Sequence, residues 1–408
     1  MELKTKYQYT YFIYPYMIAE NKYTKYLQKL LKDKKCEIRF FKQEKDYDIF
    51  SYFLPNIRKF MFPTFSFNEA KIKKFKELDV ELQATILQKH PCTIFEYQIG
   101  KDIQGKTGKE NGIFFSIEKL EIICFHTGIC FLAIKTQVEN SEDFDDILNF
   151  NYKFRDIKSQ FISLKQFENI KIQTSNFDDI KKLTDLIEEI TTTQINQLNM
   201  DTERFLTYSY TCIGQEAWNE TKPFEAIEHE FYKYCNILPS NYNVGIDKIS
   251  KNQDIQVISK WKYIKIGFSK MGSCLLTSGT DTFNYTKLLF LYENVYFYMY
   301  ILNLYKKCYL NKLKMEYKKE IKSEKARGKF INFTQNLWIQ EVTNDDIGSF
   351  MNQKWNQVLD LDIAYRNVKN KFDILYKEKN IEKTAKTNKI IMILLFISVL
   401  LNILHFFG

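Results

Sequence analysis

Glycine and proline are scarce in this 408-residue chain, at 13 and 6 residues, whereas aromatic residues reach 16% and hydrophobic residues 45%. Such a composition excludes a disordered, collagen-like or disulfide-scaffold protein, and the length suffices for two or three ordinary domains. Arginine is scarcer still, standing only at 39, 58, 155, 204, 327 and 366, so nearly all of the 59 basic residues are Lys. Lys, Ile, Asn, Phe and Tyr in place of Arg, Gly and Pro are what an AT-rich genome encodes. The net charge of +9 is therefore weak support for any partner, and no nucleic-acid partner is expected. Histidine occurs only at 90, 126, 229 and 405, and neither H-E-x-x-H nor C-x-x-C is present. No metal site is assigned. The eight Cys sit mostly in apolar runs and read as free, buried thiols of a cytoplasm-facing domain. The first residues, MELKTKYQYTYFIYPY, lack the apolar core and small-residue cleavage site of a signal peptide. No G-x-S-x-G, kinase signature or nucleophile pair is found, so no catalytic residue and no cofactor are assigned, and an enzyme is not expected.

The strongest positive signal is one long hydrophobic run. Residues 390–407, IIMILLFISVLLNILHFF, are 18 positions without a formal charge. At about 1.5 Å rise per residue they reach roughly 27 Å, enough for one transmembrane helix. Lys379, Lys383, Lys386 and Lys389 precede the run, which by the positive-inside bias places the N-terminal bulk in the cytoplasm. As a C-terminal anchor the helix inserts last, after the rest has folded. Inside it Ser398, Asn402 and His405 follow i, i+4, i+7 spacing and share a face, either an oligomer or pore face or a pair of polar groups solvated at the far interface. Upstream, Val358, Leu361, Tyr365, Val368, Phe372 and Leu375 alternate by 3 and 4 residues, a short heptad seam. It suits a coiled-coil stalk between copies or a helix packed on its own domain.

The soluble part reads as α+β. Strand-like runs occur at 7–14, 37–41, 93–98, 113–117, 121–125 and 130–136, with helical patterns at 21–31 and 178–190. A second series follows, with a strand at 205–213, a helix at 223–234 and a hairpin at 261–277. The two hairpins share Gly128 and Gly272, each followed two residues on by Cys and large apolar residues, and FDDI occurs at 144–147 and 177–180. This suggests two duplicated α+β halves, 1–204 and 205–281, with chance similarity as the competing explanation. Next come a long buried helix over 282–330, a helical stalk over 331–389 and the span at 390–407.

One motif carries potential chemistry. Residues 100–107, GKDIQGKT, fit the phosphate-cradling pattern G-x-x-x-x-G-K-T, with Lys106 and Thr107 as its phosphate and magnesium residues. The pattern requires a helix to open behind it, and the sequence continues instead into two more glycines and a strand-like run. Lys106 and Thr107 stay weak candidates for cofactor binding. Asn149, Asn151 and Arg155 form a second candidate, a ligand-reading surface, with a solvated helix end as the alternative.

The order of these parts, an N-terminal cytoplasmic domain, long helices and a C-terminal span, resembles that of CorA-like divalent-cation transporters and of CorA-like membrane effectors associated with some bacterial defence systems. The likeness lies in the order of elements. Where CorA-type channels carry Gly-Met-Asn between two spans, this chain has Phe350-Met351-Asn352 far upstream of a single span. The resemblance implies a non-enzymatic, membrane-anchored sensor or effector that forms homo-oligomers through stalk and span and answers to a small ligand or protein partner. An ion-conducting protein, a nucleotide-binding protein using the 100–107 loop and a passive adaptor are the alternatives.

Overall fold

The computed structural model describes residues 3–99, 104–107, 112–139, 142–157, 170–173, 179–194, 203–223, 227–245, 255–319, 324–338 and 341–407. In chain order the elements are β1 (Thr5–Met17), α1 (Tyr23–Lys32), β2 (Cys36–Ile38), α2 (Tyr47–Tyr52), α3 (Pro55–Met61), α4 (Glu69–Glu77), α5 (Val80–Gln88), β3 (Cys92–Tyr97), β4 (Gln104–Thr107), β5 (Phe114–Phe125), β6 (Ile129–Val138), α6 (Phe144–Phe154), β7 (Ile170–Ile172) and α7 (Leu183–Thr191). There follow β8 (Leu206–Ile213), α8 (Glu228–Asn236), β9 (Gln256–Ile258), β10 (Ile264–Ser269), β11 (Gly272–Ser278), α9 (Thr282–Tyr285), α10 (Lys287–Leu291), a π-turn (Tyr292–Tyr296), α11 (Phe297–Lys319), α12 (Glu324–Asn336), α13 (Asp346–Val358) and α14 (Leu361–Phe407). They divide into two compact units, one of Met1–Tyr305 with Gln340–Leu359 and one of Lys306–Ile339 with Asp360–Gly408.

The first unit is mixed α/β, built on one 11-stranded sheet of order β2-β3-β5-β6-β1-β8-β11-β10-β9, with β4 pairing both β5 and β7 beside it. Strands covered on both faces read as apolar runs instead of alternating ones: β6 is buried along nearly its whole length, and β1 and β5 are continuously buried over residues 8–16 and 120–125. Phe12, Tyr14 and Tyr16 of β1 enter one core with Leu120, Ile122, Leu132 and Ile134. Helix α1 closes it with Tyr23, Tyr26, Leu27 and Leu30, buried at i, i+3, i+4 and i+7. The alternate residues of β1 face the π-turn and α11: Tyr11 stacks on Phe297 at 4.4 Å, while Tyr208 of β8 stacks on Tyr292 at 4.2 Å.

Both expected halves contribute to this single sheet, and their strand polarity differs. β1 and β8 are neighbours, flanked by the hairpins β5–β6 and β10–β11. Yet β1 meets β6 antiparallel, whereas β8 meets β11 parallel, so the halves do not superimpose strand for strand. The shared glycines differ as well. Gly128 sits in the β5–β6 turn at φ +83, whereas Gly272 is the first residue of β11, where a Cβ would strike the Thr207 carbonyl of the adjacent strand. Of the two FDDI segments, the first opens α6, while residues 177 and 178 of the second lie outside the described residues. A side chain at Gly128 would combine left-handed backbone with collision against the Ile18 carbonyl. Gly128→Ala is therefore expected to cost about 1–3 kcal/mol, read as a lowered urea midpoint, and an unchanged midpoint would refute the conformational requirement.

In the second unit α12 and α14 pack through aromatic side chains. Trp338, just after α12, stacks on Tyr365 of α14 at 4.2 Å and 7°, Phe330 faces Phe372 at 5.1 Å, and Tyr365 Oη donates to Thr334 Oγ1 at 3.3 Å. This alters the expected heptad seam. Val358 ends α13, the helix breaks at Leu359 and Asp360, the latter at φ +54, and only from Leu361 onward does α14 carry the seam. Leu361, Val368 and Phe372 are buried within their own chain. The Leu375 side chain lies outside the described residues. Aromatic pairs couple by about 0.5–1.5 kcal/mol, so a Trp338→Ala and Tyr365→Ala double-mutant cycle should return a coupling in that range; additivity would show the stack to be inconsequential.

Candidate functional site

Charge is expensive inside a sheet, yet the face of the first unit beneath the π-turn and α11 carries several charges. Glu96 of β3 and Glu121 of β5 occupy directly opposed positions, an arrangement that repels unless a cation intervenes. Arg39, just past β2, intervenes: its Nη1 lies 3.3 Å from Glu96 Oε1 and 3.1 Å from Glu121 Oε1. Lys119 Nζ adds a 3.1 Å ion pair to Glu121, and Tyr298 Oη of α11 donates to the same oxygen at 2.7 Å. Arg39 Nη1 in turn donates to Tyr298 Oη at 2.8 Å, and its guanidinium lies 4.5 Å from the Phe41 ring centre. Burial alone would raise the Glu121 carboxyl, which is 1% exposed, but Lys119, Arg39 and the Tyr298 hydrogen bond outweigh it and hold its pKa below the usual 4.5.

A second group lies along the same face. Glu293 belongs to the π-turn, a one-residue irregularity of the kind often found where a helix must aim a side chain. Its Oε1 accepts from Lys135 Nζ of β6 at 2.7 Å and from Tyr11 Oη of β1 at 3.4 Å. The Lys135 ammonium also lies 4.7 Å from the Tyr9 ring centre. Burial, followed by the negative charge of Glu293, raises the Tyr9 and Tyr11 hydroxyls well above their ordinary value, so both stay neutral; Tyr11 donates to Glu293, whereas Tyr9 Oη is buried without a partner among the described residues. The two groups tie the π-turn and α11 to three strands through charge-assisted hydrogen bonds.

The residues singled out from sequence fall elsewhere. Lys106 and Thr107 lie in β4, paired on both sides by β5 and β7. The Thr107 N–H donates to Ile113 O at 3.1 Å, so Thr107 itself belongs to the sheet; residues 100–103 and 108–111 lie outside the described residues. Asn149, Asn151 and Arg155 share α6 or its end without forming an open surface. Asn149 accepts from the Ser240 N–H at 3.1 Å and donates to Ser240 Oγ at 3.0 Å, while Asn151 and Arg155 are 3% and 5% exposed. Arg155 lies beside Asp156, which Arg204 Nε also holds at 2.8 Å. Phe350-Met351-Asn352 lies in the middle of α13: Met351 is fully buried and Asn352 accepts from Asn303 at 2.9 Å. Among the described residues no group of three or more His, Cys, Asp and Glu is placed to hold a metal ion.

The C-terminal helix is the feature least accounted for by internal packing. α14 runs unbroken for 47 residues, and its apolar window has a mean hydropathy of 2.7 with none of it buried. Among the described residues it is the one helix long and apolar enough to cross a membrane. Ser398, Asn402 and His405 are exposed on it with their apolar neighbours. No protein-family model matches the chain, and no curated protein sequence matches it.

Proposed function

We propose that this protein is a membrane-anchored sensor or effector without catalysis of its own: its mixed α/β unit lies in the cytoplasm, binds a small ligand or protein partner, and passes the event to assembled copies of stalk and span. The observation that carries the reading is the apolar end of α14, whose 18-residue window has no internal cover. An apolar surface this long is unstable in water and is stabilised by lipid. The Lys residues at 379, 383, 386 and 389 support a cytoplasmic position for the bulk. The ion pairs of Arg39 with Glu96 and Glu121 and of Lys135 with Glu293, all made within the fold, support a structural role for these charges. The CorA-like order of elements supports a setting in bacterial defence.

The test is fractionation with alkaline carbonate followed by proteolysis of sealed inside-out and right-side-out vesicles. The reading expects carbonate-resistant protein whose bulk is digested only from the cytoplasmic side. Extraction by carbonate would reject the span. A second reading, ion conduction, rests on the exposed stripe Ser398, Asn402 and His405 in the apolar segment, because polar groups at membrane depth usually face a partner or water. It expects ion flux in reconstituted vesicles that changes in Asn402→Leu.

A further inference from the structure

The membrane-anchored reading leaves open which face of α14 joins one copy to the next, and the seam first expected to do so is covered by the chain's own α12. The opposite side of the same helix has its own register. Starting at Ile363 and stepping alternately by four and three residues, it passes Asn367, Asn370, Ile374, Lys377, Ile381, Thr384 and Asn388, then Ile391 and Leu395, and ends on Ser398, Asn402 and His405. One register thus joins the stalk to the polar stripe of the apolar segment without a phase change. It is exposed throughout: Ile363 is 51%, Ile374 55% and Ile381 69% accessible, although Leu361, Val368 and Phe372 across the helix are buried. It also has little charge. Asp362, Arg366, Lys369 and Asp373 flank it, Glu378, Lys379, Glu382, Lys383, Lys386 and Lys389 fall outside it, and Lys377 is its single charged member.

We propose that this face is a parallel, in-register interface with a second copy of the same chain, running from the stalk into the bilayer; the proposal rests on the membrane-anchored reading above. Three physical arguments favour a second copy over any other occupant. Chains with one span and one topology can meet in the membrane only with their helices parallel, so residues sharing a number meet each other. Asn367, Asn370, Asn388 and Asn402 then face their own counterparts, and an Asn at a seam position hydrogen-bonds well to another Asn and poorly to an apolar partner, which fixes register at some cost in stability. The third argument is that the series stays exposed and, Lys377 apart, uncharged over its whole length. On a straight helix a 3.5-residue pattern drifts by about 20° per heptad, and only a left-handed supercoil keeps such a stripe against a neighbour over this length.

The test uses the full-length chain in native membranes and in detergent, with single substitutions Asn370→Cys and Ile381→Cys on the face and Lys383→Cys across the helix, each oxidised under mild conditions beside the wild type. The expected result is a band of twice the chain mass for Asn370→Cys and Ile381→Cys, no such band for Lys383→Cys or wild type, and a multimeric mass by light scattering. A multimer whose cross-link appears at Lys383→Cys, or a face cross-linked to a different protein, overturns this interface and leaves the membrane-anchored reading intact. A monomer in both environments overturns the interface together with assembly, and carbonate extraction separates that result from failure of the anchor.

Discussion

Replacing Glu121 by Ala is expected to lower the stability of the α/β unit by about 1–3 kcal/mol, because it removes the carboxylate that Arg39 and Lys119 share, although Glu96 and Asp46 still pair with Arg39. Tyr298 would lose its acceptor at the same time. Glu121→Gln keeps an oxygen for Tyr298 and should be milder. The pH dependence gives an independent reading. The folded-state pKa of Glu121 lies below the ordinary 4.5, so the carboxylate contributes stability at pH values above the unfolded value and loses it as pH falls through the folded one. Wild type should therefore lose stability relative to Glu121→Gln in that acidic window and not near neutrality. Urea unfolding from pH 7 down to about pH 3 measures both effects. Equal acid profiles for the two proteins would mean that the Arg39 group does not hold the ionised carboxylate.

Val399→Lys should release the protein from membranes. Val399 stands near the middle of the apolar segment and is 55% exposed there, with no protein contact to rescue a charge. A Lys at the centre of a span opposes insertion by about 2.5–3.5 kcal/mol, whereas each Leu, Ile, Phe or Val favours it by only about 0.3–0.6 kcal/mol. Asn402 and His405 already weaken this helix. Truncation after Lys386 should do the same completely, leaving a soluble α/β unit with unchanged circular dichroism per described helix. Membrane association that persists in the truncated chain would place the attachment elsewhere.

Much of the fold is written locally. The β5–β6 hairpin is legible because Thr127-Gly128 interrupts two apolar runs, and α1 because Tyr23, Tyr26, Leu27 and Leu30 recur at helical spacing. What is not written locally is polarity. That β11 lies parallel to β8 depends on a connection of some sixty residues and on packing across the sheet, which no short pattern encodes. Helices α2–α5 escape a periodicity reading because several span only one to two turns and are held by aromatic contacts such as Phe40 with Phe75 and Phe41 with Phe62. The charged groups were hidden for the same reason. Arg39 and Glu121 are 82 positions apart, and Arg39 and Tyr298 259. Their one local sign is Glu121 at the head of the apolar run EIICF within β5. The apolar side of α14 with Leu361, Val368 and Phe372 is legible from its spacing, whereas its cover by the chain's own α12 depends on packing between segments remote in sequence.

The position of β1 sets a schedule for synthesis. It is made before both of its partners, β6 and β8, so its register is complete only when residues near 213 have been added. At about 5–20 residues per second, translation takes roughly 10–40 s to supply them. During that time a run of Tyr, Phe and Ile, TKYQYTYFIYPYM, waits with at least one bare edge. Until then the chain carries an apolar strand edge open to pairing with other chains, an exposure that belongs to its synthesis and not to the finished sheet.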